Sequence, residues 1–258
     1  MAPIFVAASA FGADTVSARG QDAFITILKD AQADGIEIRR ELIGEPEPAL
    51  ARLRDAVARS GLQAVYSVPA EMWRADGTWN EREMETAYDE AERVGAFLLK
   101  VSLGRFDPAR SDVEALGRLI ASGPIVVTVE NDQTERGGTI EMLSRFFRAC
   151  RERNVPVKMT FDIGNWHWTG EEPAIAAARL SEHVAYIHCK HAEQRGDAWT
   201  ALALPNDAKA SWREVLSALP QHVPLAIEYP IQGDDLRESA RREIERLRLL
   251  AYSESKEA

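Results

Sequence analysis

The chain has 258 residues, 45% apolar and 28% charged, with a formal net charge of −10. This composition belongs to an ordinary globular protein, and the length suits one large barrel domain. The acidic balance argues against nucleic acid or an anionic membrane as partner, because no run of Lys or Arg makes a local basic stripe. The start, MAPIFVAASAFGAD, has no positive leader and reads as a first strand rather than a signal peptide. No apolar run approaches the length of a membrane span, which is about 18 residues. Cys150 and Cys189 form no CxxC pair, and a cytoplasmic location is expected.

Eight short apolar runs follow in chain order: 4–9, 35–39, 62–68, 97–103, 125–130, 157–162, 184–190 and 224–229. Their β-branched and aromatic content predicts strands buried on both faces. Amphipathic stretches separate them. Met84, Ala87, Tyr88, Ala91 and Val94 share one helical stripe, as do Leu236, Ala240, Ile244, Leu247 and Ala251. Repeated strand-then-helix units in an unbroken chain predict an α/β fold, a (β/α)8 TIM barrel forming a single domain over residues 1–258. A doubly wound sheet would carry a Gly-rich turn after its first strand. The sequence Ala7-Ala8-Ser9-Ala10-Phe11-Gly12 is not one, and no Walker A motif is present.

Barrel sites are built at the C-terminal ends of strands. The first four ends offer Ser9, then Glu37 and Arg39, then Tyr66 and Ser67, then Lys100 and Ser102. The last four offer Glu130 in VVTVEND, Asp162 in KMTFDIGN, His188 in AYIHCKH and Glu228 in LAIEYP. A charged group ending an apolar run must be paired or bound to metal. Four such groups on successive strands converge, and a site of three carboxylates and one imidazole suits Mn²⁺ or Mg²⁺, with Co²⁺ and Zn²⁺ as further candidates. Such an ion could hold two neighbouring substrate oxygens and stabilise the charge formed when an adjacent C–H loses its proton.

The four residues, with the flanking TFDIGNWHWTGEEP, HVAYIHCKHA and AIEYP segments, resemble the xylose isomerase-like barrel superfamily of sugar (phosphate) isomerases and epimerases. The resemblance covers nearly the whole chain and is most specific from 125 to 230. It implies that Glu130, Asp162, His188 and Glu228 bind a divalent metal. It also implies that Glu130 and Glu228 move protons through a cis-enediolate held by that metal. His188 would ligate as neutral imidazole, so acid should eject the ion. Further candidates for substrate contact are Glu37, Lys100, Asn165 and Arg195. Trp73 and Trp166, with Trp79 and Trp168, could line a pocket for a sugar face. His191 could support the ligands, and Lys158, at a strand start, belongs at the barrel floor. Family members often self-associate, so a homo-oligomer is an expectation.

The stretch ALALPNDAKASWREVL lacks the glycines that many relatives carry after strand seven. Arg39, Arg40 and Lys100 near strand ends would suit a carboxylate, and no Gly-rich phosphate loop is evident. These features favour an unphosphorylated keto sugar or sugar acid. A lyase on the same scaffold is the alternative, as a decarboxylase of a 3-oxo sugar acid or a keto-polyol dehydratase. A barrel endonuclease would need several zinc ions and many histidines, where this chain has five and a charge of −10. A glycosidase using Glu130 and Glu228 would leave Asp162 and His188 idle. A non-catalytic sugar-binding subunit would be expected to lack a ligand, and none is missing.

Overall fold

The computed structural model describes residues 2–257 except 197 and 208, with side chains described as far as 251. Strands β1 (Ile4–Ala7), β2 (Gly35–Arg39), β3 (Gln63–Trp73), β4 (Leu98–Gly104), β5 (Val126–Glu130), β6 (Lys158–Asp162), β7 (Val184–Cys189) and β10 (Leu225–Ile227) close into a barrel. Every neighbouring pair is parallel, and β10 closes the ring between β7 and β1. Strands β8 (His191–Arg195) and β9 (Ala198–Leu202) form a separate antiparallel hairpin.

Helices cross between the barrel strands: α1 (Ala13–Arg19) and α2 (Asp22–Asp30), α3 (Pro46–Ser60), α4 (Glu81–Val94), α5 (Val113–Ile120), α6 (Ile140–Glu152), α7 (Pro173–Leu180), α8 (Ser211–Ala218) and α9 (Leu236–Glu257). This is the (β/α)8 barrel that the alternation predicts. The α4 stripe lies buried against the strands, as do Ala240, Ile244 and Leu247 of α9. Among the described residues no helix is long and apolar enough to cross a membrane.

The period-2 alternation of the strands sorts their side chains. One set, including Ile36, Ile38, Val127, Val129, Met159 and Phe161, joins the layer under the helices. The other set fills the barrel interior. At its floor Phe5, Val65, Leu98, Tyr186 and Ala226 pack as a separate apolar cluster. Gly35 belongs to this level because a Cβ there would sit 2.1 Å from the Phe5 ring. Above the floor Thr128 and Thr160 share a hydrogen bond of 2.8 Å. One step further up, the same faces present Glu37, Lys100, Glu130, Asp162 and His188. Along β2, β4, β5, β6 and β7 the interior becomes charged at this level, and that change places the site.

Three elements differ from the sequence expectation. Strand β3 does not end at Val68. It continues through Pro69 to Trp73 with a register shift between Ser67 and Glu71, against β4. A proline is tolerated where the ladder is already irregular. The stretch after β7 is a hairpin rather than a loop, with Arg195 facing Ala198 at its tip. The last barrel strand is short, so Glu228 lies just beyond Ile227.

The β3 extension carries Trp73 into a closed aromatic cluster with Trp79, Phe106 and Phe146, at ring separations of 5.2 to 5.7 Å. Trp73 has no exposed surface. Trp73→Ala should therefore destabilise the fold by about 3–5 kcal/mol, read as a lower urea midpoint. A loss below about 1 kcal/mol would mean that this cluster does not anchor β3 to α6.

Candidate metal centre at the barrel mouth

The mouth is built outward from β2. Glu37 is completely buried, and its Oε2 lies 2.6 Å from His188 Nε2. Its Oε1 lies 3.1 Å from Arg39 Nη1 and 3.4 Å from Lys100 Nζ. Burial works against the Glu37 charge, but His188, then Lys100, outweigh it and hold the carboxyl far below its ordinary range. An ionised Glu37 accepts the proton on His188 Nε2. That leaves Nδ1 as the lone-pair nitrogen whenever the ring is neutral.

His188 Nδ1 faces Glu130 Oε1 at 2.9 Å, Glu228 Oε2 at 3.0 Å and Asp162 Oδ2 at 3.4 Å. These four residues offer ligand atoms that all lie within 4.8 Å of one another. Glu130 Oε1, Asp162 Oδ2 and His188 Nδ1 are buried and have no hydrogen bond of acceptable geometry. Buried polar atoms are nearly always satisfied, so a set like this pointing at one place makes a cation a candidate occupant. The donor set of three carboxylate oxygens and one imidazole nitrogen fits a hard divalent cation.

Each ligand is anchored through its other atom. Asp162 Oδ1 accepts N–H bonds from Gly164 (2.8 Å) and Asn165 (2.9 Å), at the start of a 3₁₀ turn. Asn131, wholly buried, accepts from the Asp162 amide at 2.8 Å and donates to the Asp162 carbonyl at 3.0 Å. Glu130 Oε2 accepts from Lys100 at 2.6 Å, and Glu228 Oε1 accepts from Arg39 at 2.7 Å. Lys190 Nζ stands 2.7 Å from both Asp162 Oδ2 and Glu228 Oε2.

The charges are strongly coupled. Against burial, Lys100 and His188 bring the Glu130 carboxyl down to about 2. His188 and Lys190 do the same for Glu228, which falls well below the ordinary range. For Asp162 burial wins, and its carboxyl is raised despite Lys190. Burial opposes the His188 charge, but Glu228 and Glu37 hold the imidazolium well above its usual value. Four carboxylates (Glu37, Glu130, Asp162, Glu228) meet three fixed cations (Arg39, Lys100, Lys190). With the His188 imidazolium the set is neutral, and only if His188 gave up its proton to hold an ion would one net negative charge be left.

The other candidates fall in varied places. Lys100 lies inside the site, 3% exposed. Asn165 lies beside it, but its amide is committed: Nδ2 donates to the Asn131 carbonyl at 2.9 Å and Oδ1 accepts from Gln133 at 3.2 Å. Trp166 is fully buried against Phe161, so neither it nor Trp73 presents a ring to solvent. Arg195 stands at the hairpin tip, paired with Glu193 at 3.1 Å. Arg40 turns outward to Glu83 and Glu90. Trp168 and His167 pack against Trp199 of β9. Lys190 is the member that sequence reading missed. Its signal is its position two residues after His188, on the same face of the chain.

Glu37→Gln should weaken Mn²⁺ binding by about 10–100-fold, because the amide no longer fixes the His188 proton on Nε2. Calorimetric titration gives the affinity. An unchanged value would remove Glu37 from the support of His188.

Fold and mouth together define a barrel protein with an acidic, single-imidazole centre at the strand ends. A family model for the xylose isomerase-like TIM barrel matches residues 25–250, and the chain belongs to that family. Among solved structures, it resembles an L-ribulose 3-epimerase with a TM-score of 0.74 at 15% identity, covering 100% of this chain and 97% of that one. It also resembles a D-allulose 3-epimerase from Methylomonas sp. in complex with D-allulose, with a TM-score of 0.68 at 17% identity over 96% of each chain. A xylose isomerase-like TIM barrel/4-hydroxyphenylpyruvate dioxygenase fusion protein matches with a TM-score of 0.73 at 15% identity, over 96% of this chain. This chain spans only 42% of that protein's length. No curated protein sequence matches this chain.

Proposed function

We propose that the protein is a divalent-metal-dependent isomerase or epimerase acting on a keto sugar or sugar acid, with Mn²⁺ or Mg²⁺ as the ion. The observation that carries this reading is the convergence of Glu130, Asp162, His188 and Glu228 at the barrel mouth, with one ligand atom of each lying within 4.8 Å of the others. When bound, the ion would polarise the substrate carbonyl and make the neighbouring C–H more acidic. Glu130, Asp162, His188 and Glu228 would hold it.

Burial divides the labour among these four. Asp162 and His188 have no exposed side-chain surface, whereas Glu130 and Glu228 keep 14% and 13%. The two glutamates therefore reach the open mouth and are the groups that a substrate carbon can approach. They come from opposite sides of the Asp162–His188 pair, on β5 and after β10. One glutamate would take the proton from the carbon beside the carbonyl, and the other would return a proton from the opposite side. Against burial, Lys100 and His188 keep Glu130 ionised, and His188 and Lys190 keep Glu228 ionised.

A lyase on the same scaffold is a second reading, favoured by the three cations at the mouth, Arg39, Lys100 and Lys190, which would suit an acidic substrate. A panel of ketoses, sugar acids and 3-oxo sugar acids with Mg²⁺ or Mn²⁺ separates the two. The expected result is interconversion of isomers or epimers that EDTA abolishes. Release of CO₂ or water instead would establish the lyase, and conversion indifferent to EDTA would overturn the metal-dependent reading.

A further inference from the structure

The anchoring of the ligand carboxylates follows one rule. One oxygen or face is held by the protein, and the other is turned inward. Lys100 and Arg39 obey it, since they hold Glu130 Oε2 and Glu228 Oε1, the outer atoms. Lys190 does not. Its Nζ stands 2.7 Å from Asp162 Oδ2 and 2.7 Å from Glu228 Oε2, and both of these are inward atoms. Among the lysine and arginine side chains described at the site, it is the one whose position conflicts with an ion bound by the same oxygens.

We propose that Lys190 is a built-in counter-ion that competes with the divalent cation for Asp162 and Glu228. Its ammonium must leave these oxygens when the ion enters. This rests on the reading of the cluster as a metal centre.

Three observations support it beyond the two distances. The Lys190 side chain is 7% exposed, so its charge is not diluted by water, and it bears on the cluster at full strength. The chain makes room for its stem. A Cβ on Gly164 would stand 2.8 Å from Lys190 Cγ and 3.3 Å from its Cε, while the Gly164 backbone, at φ −82°, would suit any residue. Glycine is needed there for space rather than for backbone shape. Finally, without a cation on their inner atoms, Asp162, Glu130 and Glu228 would crowd like charges in a buried volume. An ammonium that can be exchanged for an ion lets the barrel fold with its ligands in place and then load.

Removing a lysine that only braces the fold would leave ion binding unchanged or weaken it, whereas removing a competitor strengthens it; loss of any nearby positive charge has that same sign, so displacement itself is read from the acetylation of Lys190. Lys190→Met and Lys190→Gln should each bind Mn²⁺ at least about tenfold more tightly than the wild type, or ~1.4 kcal/mol. Lys190→Arg, which keeps the charge, should stay within about threefold. The titrations are calorimetric, at fixed ionic strength, on protein stripped with EDTA and dialysed. Equal or weaker binding in both neutral variants, with wild-type binding intact, overturns the competition and leaves the metal centre standing. Binding of no divalent ion by the wild type or any variant overturns both.

A second measurement uses the wild type alone, in case the variants fold poorly. Lys190 should be slow to acetylate in the ion-free protein and several-fold faster after Mg²⁺ loading, followed by mass spectrometry of the peptide. An acetylation rate unchanged by Mg²⁺ at a loading concentration would contradict displacement of the ammonium.

Discussion

Glu130→Gln and Glu228→Gln are each expected to lower turnover by about 10³-fold or more while leaving the far-UV spectrum and the thermal midpoint nearly unchanged. Positioned proton transfer is worth about 10²–10⁴-fold, and each change also takes a negative charge from the metal centre. Glutamine keeps the shape of the side chain and can still accept a hydrogen bond from Lys100 or Arg39 at the outer position. What it loses is the capacity to take a proton at the exposed mouth. The kinetic constants should separate the two functions: with saturating Mn²⁺ any ligand defect is masked, and the residual loss in kcat reports proton transfer. Normal turnover in either variant would contradict the proposed roles of the pair.

The second large effect is on the ion rather than on the proton. Asp162→Asn should cost at least about 100-fold in Mn²⁺ affinity with the fold intact. The two oxygens of Asp162 have separate tasks. Oδ1 caps the turn through Gly164 and Asn165, and the amide oxygen of asparagine can continue to do so. The NH₂ must then replace Oδ2, turning a donor towards His188 Nδ1 and the Lys190 ammonium where an acceptor stood. The cap is conserved and the ligand is lost. Mn²⁺ affinity equal to the wild type would show that Asp162 serves only the turn.

Much of this site was legible because its residues break a pattern. Glu130, Asp162, His188 and Glu228 each interrupt or end an apolar run, and a charge there demands a partner. The barrel was legible for a related reason: its strands are continuous apolar segments separated by amphipathic helices. The parts that escaped depend on contacts distant in sequence or on a broken cue. Glu37 lies 151 positions before its partner His188, and no local pattern shows that the two carboxylate oxygens are taken by a ring and two cations. Pro69 looked like the end of β3, so Trp73 read as a loop aromatic rather than as the centre of a buried cluster. Lys190 ends the run 184–190, where a lysine gives no cue of its own beside the His188 imidazole. Alternation carries the same face two residues further, and applying it past the strand end would have found this lysine. Arg195 sits in a hairpin whose strands are short and half-exposed, with little apolar signal.

The proposed chemistry is the exchange of a carbon-bound proton at this mouth under the control of a divalent ion. Proton NMR in D₂O tests it most directly, with the purified protein, Mg²⁺ and the panel of ketoses and sugar acids, against an EDTA control. The expected result is loss of the signal from a C–H beside the carbonyl in at least one compound, at a rate that EDTA abolishes and Glu130→Gln suppresses. Exchange that persists in EDTA, or substrate conversion with no deuterium entering the product, would contradict it.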